Sequence, residues 1–344
     1  MTSADYLPFA EVNFVEDHWW IQIVKVIVIM IVVLQIAPVM VLLERKWLGR
    51  FQSRYGPNRV GYKGALQPLA DVGKLLSKEQ FHTTSGIAWM MALAPAISVF
   101  TAIATVAIIP FGDVAKGEVG LYGIDVSIGI LWAFAFGALA FYGLMLGGWS
   151  SGSKYSFLGA MRGAAQLISY EVALGLSLLG IVMTSGTLSL TEIVHAQHNI
   201  WFIVPQFVGF CIFLVAGYAE TNRPPFDLPE ADAELVGGYN TEYGGMRFGS
   251  FFMAEYINMI VISGLAVTLF LGGWHGPGPG WLDPIWVLAK MFIFLFLFVW
   301  VRATLPRLRY DQLMSFGWKA LLPLATANAL VTAIIVVEGW PWQW

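Results

Sequence analysis

Charge is scarce in this chain. Lys, Arg, Asp and Glu make up 12% of its 344 residues, while hydrophobic side chains make up 58%. The charged share is about half that of a soluble domain, which excludes an ordinary globular enzyme. The formal net charge of −3 is too small to predict a nucleic-acid partner or a polybasic lipid-binding surface, and no block of like charges forms a tail. A single cysteine, Cys211, excludes an intrachain disulfide and any cysteine-ligated zinc or iron–sulfur centre built from this chain alone. Lying in an apolar run, it reads as a small buried hydrophobe. Lys and Arg are missing from the first 18 residues, which carry Asp5, Glu11, Glu16 and Asp17 instead. The basic start of a secretory signal or transit peptide is therefore lacking, and no cleaved leader is expected. Catalytic patterns are lacking too: no Gly-rich phosphate loop, no nucleophile motif, and no haem-like pair of histidines inside an apolar run.

Long apolar runs fill the chain instead. Crossing a hydrocarbon layer of roughly 30 Å takes about 20 apolar residues as helix, because lipid offers no partner to an open backbone. Eight runs qualify, at 19–43, 86–109, 126–148, 163–185, 200–219, 248–273, 284–301 and 320–337. None alternates as a barrel strand would. The predicted fold is an all-α integral membrane protein, one polytopic domain over 1–344. Pro38, Pro95, Pro205 and Pro323 fall inside these runs, where kinks rather than breaks are expected. Eight Lys and Arg lie in the connection 44–85, two in 149–162, two in 220–247 and four in 302–319, sixteen of the nineteen in the chain. The positive-inside rule then puts both termini outside and these four connections in the cytoplasm.

The 42-residue connection 44–85 is too long for a plain loop. Within it Leu66, Leu69, Ala70, Gly73 and Leu76 share one helical face, predicting a surface helix over 64–79 that lies along the bilayer, with Asp71, Lys74 and Lys78 opposite. A second amphipathic stretch at 188–200 is expected to cap the outer side. Its His195 and His198 are too few for a metal site and read as solvated.

Ionisable residues within the runs are the main functional signal, since burying a charge at mid-membrane costs about 2.5–3.5 kcal/mol on insertion scales. Glu171 and Glu255 each enter from the cytoplasmic end to similar depth. Either they pair with neighbouring helices as structural glue, or desolvation raises their pKa and makes them proton carriers. The connection 220–247 extends this line: Glu220 ends a run, Pro224–Pro225 forces a turn, and Asp227, Glu230, Asp232 and Glu234 follow. Carboxylates that close repel one another and titrate as a coupled group; the alternative is a solvated acidic loop. The apolar residues and the GGYNTEYGG flank favour a packed connection. Lys25 is explained by snorkelling, and Lys290 is deeper and extends a possible polar path. Arg45, Arg50, Arg54 and Arg59 alternate with Trp47, Phe51 and Tyr55, a mixture suited to lipid headgroups, an acidic protein, or the mouth of a tunnel for an amphipathic quinone.

The strings ERKWLGRFQSRYGPNRVG, PLADVGKLLSKE, AETNRPPFDLPEADAELVGGYNTEY and RATLPRLRYDQLM resemble the quinone-channel membrane subunit of respiratory complex I, the H-subunit family of bacterial NADH:quinone oxidoreductase. The match runs in order from residue 44 to 325, and the acidic motif is highly specific. The family usually has Glu where this chain has Asp232, which reaches one methylene less. The resemblance implies an eight-helix subunit whose cytoplasmic loops help close a tunnel for ubiquinone, in the bacterial inner membrane or, alternatively, the mitochondrial one. Its implied partners are peripheral-arm quinone-site subunits, which carry the iron–sulfur clusters and FMN, and small adjacent membrane subunits. No cofactor or metal is implied on this chain itself. By motif, Arg45, Arg54, Trp47, Phe51, Arg302 and Arg307 correspond to channel or interface residues. Glu171, Glu220, Asp227, Glu230, Asp232, Glu234, Glu255 and Asp71 correspond to proton-coupling residues. Two other readings of the residues are the membrane component of an energy-converting hydrogenase and a stand-alone cation/proton antiporter.

Overall fold

In the computed structural model, which describes residues 19–80, 83–114, 119–230 and 232–338, the apolar runs fold as helices that close their own backbone hydrogen bonds. The acidic first 18 residues lie outside the described residues. In chain order the helices are α1 (Trp19–Phe51), α2 (Gln67–Ser77), α3 (Ala88–Val106), α4 (Gly129–Ser150), α5 (Lys154–Ser185), α6 (Leu190–Ala196), α7 (Phe207–Glu220), α8 (Asp232–Leu235), α9 (Gly245–Phe270), α10 (Asp283–Thr304), α11 (Tyr310–Phe316) and α12 (Leu322–Val337). Two-residue strands, Asp113–Val114 and Val119–Gly120, pair antiparallel between α3 and α4.

Seven helical segments among the described residues are long and apolar enough to cross a membrane, and the chain is a multi-pass membrane protein. The run expected at 200–219 gives a shorter helix, the 14-residue α7. Its first part is claimed by tertiary bonds instead: the Ile203 amide donates to Phe270 O at 2.9 Å, and Gln197 Oε1 accepts from the amides of Phe202 at 3.2 Å and Gly272 at 2.9 Å. Pro205 therefore precedes the helix. Pro38 and Pro95 sit within unbroken helices, and Pro323 enters the first turn of α12 behind a five-residue π segment, Gly317–Leu321. Helix α5 starts at Lys154, earlier than the apolar run, because KYSFLGAMR continues the helix past the hydrophobic stretch. Cys211 is exposed, not buried; it stands on an outward face of α7, where a hydrocarbon surround suits a thiol as well as a core does.

Helix α9 is the hub. It is the most enclosed of the spans, and α1, α3, α7 and α10 all pack on it, while α4 bridges α3 to α5 and α5 carries α7 and α12. Helices α3 and α4 meet closely at Gly143, where a Cβ would come within 2.2 Å of Ser98 Oγ and 3.1 Å of Ala94 O.

Lys290 does not extend a polar path through the bundle. Its ammonium donates to the carbonyls of Leu271 at 2.8 Å, Gly273 at 2.9 Å and His275 at 2.8 Å, and lies 4.6 Å from the Trp201 ring centroid. It satisfies three carbonyls of the loop that follows α9. Lys290→Met strands these acceptors and is expected to destabilise the fold by about 3 kcal/mol. The thermal unfolding midpoint of the detergent-solubilised protein measures this, and an unchanged midpoint would show that the ammonium does not hold the loop.

Candidate functional site

The connection after α7 folds inward. Thr221, Arg223, Phe226, Asp227 and Leu228 are all buried, so this is a packed plug and not a solvated loop. Gln166 of α5 anchors it, donating from Nε2 to Ala219 O at 2.6 Å and Phe226 O at 2.7 Å. Gly238 is the position that closes it. Its φ of +65° suits glycine, and a Cβ would come within 1.7 Å of Pro229 O. A helix over 229–236 would put Glu230 and Glu234 on one face, but only the single turn α8 forms there, so they do not share a helical face. Glu230 accepts from Asn240 Nδ2 at 2.8 Å, whereas Glu234 is exposed and bonded to Arg162 of α5. The Asp232 side chain lies outside the described residues.

Two residues that carried no role in the sequence reading organise the buried charge. Arg223 Nε stands 2.7 Å from Glu255 Oε1, and its Nη1 lies 3.5 Å from Glu44 Oε1. Glu44 is 3% exposed, is paired with Arg302, and accepts from the Tyr256 hydroxyl at 2.6 Å. The Arg223 guanidinium lies 4.2 Å from the Tyr256 ring centroid, a cation–π contact strengthened by desolvation. Nearby, Arg307 Nη2 meets Asp227 Oδ2 at 2.5 Å. The one signal available in sequence was a lone Arg among six carboxylates in residues 219–245. Burial holds the Tyr239 phenol well above its ordinary range, with the charges of Glu230, Glu255 and Asp227 adding to the effect, so it stays a neutral hydrogen-bond donor beside the acids.

Three hollows surround this cluster. A cavity of about 90 Å³ between α3, α4, α5 and α9 is lined by Glu220, Glu230, Tyr239, Glu255, Asn258 and the hydroxyls of α3. A cleft of about 210 Å³ between α4 and α5 is lined by Glu171 and Glu220 with Tyr142, Leu167 and Gly137. A groove of about 300 Å³ lies between α1, α2 and α9, walled by Pro38, Val41, Leu75, Phe248, Met253 and Tyr256. At this groove Arg45 Nη1 meets Asp71 Oδ2 at 2.7 Å, and Gln67 Nε2 donates to Asp71 Oδ1 at 3.0 Å. Asp71 and Lys74 thus line a hollow and do not merely face solvent, while Leu66 just before α2 and Leu69 and Leu76 on it remain exposed as a bilayer-lying helix requires. Trp47 packs edge-on against Phe292 and Phe296 of α10, and Phe51 tilts onto Phe296, so both join α1 to α10. Arg54 is exposed and bonded to Gln52, apart from the buried cluster.

The family model described as NADH dehydrogenase matches residues 23–333. Over 321 residues the chain is 54% identical to an H subunit, numbered 1, of the NADH-quinone oxidoreductase of Geobacter metallireducens, covering 92% of this chain and 97% of the relative. It is 52% identical to the corresponding H subunit, numbered 2, of Geobacter sulfurreducens, over 91% of this chain and 95% of the relative. It is 51% identical to the H subunit of Protochlamydia amoebophila, over 86% and 92%.

Removing one member of a buried ion cluster leaves an uncompensated charge, at a cost of about 3–5 kcal/mol. Arg223→Met is expected to show that loss in thermal unfolding and yield. Adding Glu255→Gln to it should restore part of the stability; a double variant no more stable than the single would contradict the pairing.

Proposed function

The chain belongs to the NADH dehydrogenase family and is a membrane subunit of an NADH-quinone oxidoreductase; from that premise we propose that its groove forms the bilayer-side part of the quinone tunnel and that its buried carboxylates couple quinone reduction to proton transfer. Family membership favours this reading over the hydrogenase component and the stand-alone antiporter. The quinone is ubiquinone, reduced against peripheral-arm subunits whose iron–sulfur clusters and FMN deliver the electrons. In this reading the end carrying the acidic connection faces the cytoplasm of a bacterial inner membrane, in keeping with the sixteen Lys and Arg gathered in its connections. The small adjacent membrane subunits then cover the α4 and α5 side.

The groove suits an amphipathic quinone. Pro38, Val41, Phe248 and Met253 supply apolar wall for an isoprenoid tail, and Arg45, Asp71 and Lys74 supply polar atoms for the head as it passes. Arg302 and Arg307 are each bonded to a buried acid, Arg302 to Glu44 of α1 and Arg307 to Asp227 of the connection.

One observation carries the coupling. Glu255 and Tyr256 are neighbours on α9, yet Glu255 lines the acid cavity and Tyr256 lines the groove, because successive helical residues diverge by about 100°. Arg223 touches both. A change in charge or protonation at the quinone head acts through Tyr256, Glu44 and Arg223 on the hold that Arg223 has over Glu255. As that hold loosens, Glu255 takes up a proton; as it tightens, the proton passes into the cavity toward Glu220 and Glu171. Moving one charge against 100 mV takes about 2.3 kcal/mol, within reach of a buried ion pair that is made and broken.

Glu255→Gln removes the titrating group but keeps the shape. The variant complex is expected to assemble, as read on a native gel, and to lose NADH-driven proton uptake and most quinone turnover; wild-type turnover and pumping would take Glu255 out of the mechanism. Ser250→Trp fills the groove. The KM for long-tailed ubiquinone should rise about tenfold, equivalent to 1.4 kcal/mol, with a smaller change for a tail-less analogue. Equal effects on both substrates would remove the groove from the tunnel.

A further inference from the structure

Glu220 occupies an unusual position. The acid cavity holds Glu230 and Glu255 but not Glu171, and the cleft holds Glu171 but neither of the other two. Gly137, Leu167 and Glu220 are the three residues common to both linings. The partition between the hollows is therefore one carboxyl, one leucine side chain and the bare backbone of a glycine. Among the described residues Glu220 has no ion pair, so nothing clamps its carboxyl on either side.

Gly137 has no conformational reason to be glycine. It lies inside the continuous helix α4 and is not among the residues with positive φ, and in such a place glycine is less favourable than alanine by about 1 kcal/mol. Most interior glycines of this protein stand against a neighbouring backbone or a packed side chain, as Gly143 does. Gly137 differs: a Cβ built there meets one atom within 4 Å, Glu220 Oε1, at 2.9 Å. The space a methyl would fill is the space the carboxyl uses.

We propose that Gly137 is a positioning residue whose missing side chain leaves the aperture through which the Glu220 carboxyl swings between the cavity of Glu255 and the cleft of Glu171. The inference rests on the reading of Glu220 as a proton carrier. In the cavity an O–H bond breaks at Glu255, or at a water it protonates, and one forms at Glu220. The neutral carboxyl then rotates past Gly137 Cα. In the cleft the Glu220 O–H bond breaks and one forms at Glu171, and the emptied carboxylate returns. Leu167 is the apolar wall that keeps the two hollows from joining through water. Alanine at 137 forces the carboxyl to one side, and because the displaced atom is the far end of a flexible chain the helices themselves need not move.

The test uses the assembled complex in proteoliposomes, reading NADH:quinone turnover, proton uptake and complex content on a native gel. Gly137→Ala is expected to assemble normally and to lose proton uptake by about tenfold to a hundredfold, the size of effect seen when a reacting group is misplaced by an ångström or so. Gly175→Ala, whose Cβ meets only the Phe134 ring at 3.7 Å, is the control and should match wild type. Glu220→Asp, which draws the carboxyl back by one methylene, should lower uptake on its own yet raise it when added to Gly137→Ala. A Gly137→Ala complex as active as the control overturns the proposal. So does a double variant no better than Gly137→Ala, or one that fails to assemble with or without Glu220→Asp, since either makes Gly137 a packing residue. Glu220→Gln separates the levels: if it pumps normally the carrier reading itself falls, and if it is inactive while Gly137→Ala is not, only the aperture falls.

Discussion

A charged group removed from water needs either a partner of opposite charge or a proton, and most of this architecture follows from that requirement. The helices settle the backbone's share of it internally. What remains are the side chains, and they divide into two sets. Beside the groove the acids are held by cations: Glu44 by Arg302 and Arg223, Glu255 by Arg223, Asp227 by Arg307. Toward the α4 and α5 side, Glu220 and Glu171 have no ion pair among the described residues. A carboxylate clamped by a guanidinium resists protonation, whereas an unclamped one in an apolar wall favours it. In the coupling we propose, the paired set senses charge and the unpaired set carries protons, with Glu255 where the two meet.

The same requirement explains the end of the bundle opposite the acidic connection. Helix α9 stops at Phe270, and its last carbonyls are taken by the loop amides, Ile203 N and Gln197 Nε2. Lys290 closes three carbonyls of the loop that follows, those of Leu271, Gly273 and His275, and the Gln197 amide ties that loop to α6 and the start of the α7 segment. An isolated cation and a set of orphan acceptors cancel each other without any acid taking part. For that reason Lys290 belongs to the scaffold, although a lysine in an apolar run looks like the acids on hydropathy alone.

Local periodicity made the spans and the surface helix legible, because apolar length and a helical stripe are properties of a few consecutive residues. Glu171, Glu220 and Glu255 were legible for a related reason: a carboxylate in an apolar run is anomalous wherever it packs. The sequence reading missed what depends on distant contacts. Glu44 sits beside Arg45 and Lys46 and reads as one more charge at a helix end, yet its partners are more than 170 residues away, at 223, 256 and 302. Asp71 looks solvent-facing until Arg45 is folded onto it. The short α7 was misjudged because IWFIVP is equally apolar as a helix or as a packed turn, and the choice was made by α9.

Glu234 and Glu230 show how far charge density alone misleads. Both lie in the same acidic connection, four residues apart, and a helical reading would have put them together. The chain instead turns at Gly237 and Gly238 to pack against Pro229, which draws Glu230 into the cavity wall beside Asn240 and leaves Glu234 on the surface with Arg162. A carboxylate near solvent, paired to a half-exposed arginine, contributes little to stability, while its neighbour four residues earlier lines the same cavity as Glu255. What separates them is the turn with left-handed backbone at Val236 and Gly238, so which acids of the segment reach the cavity is set by that turn and not by their count.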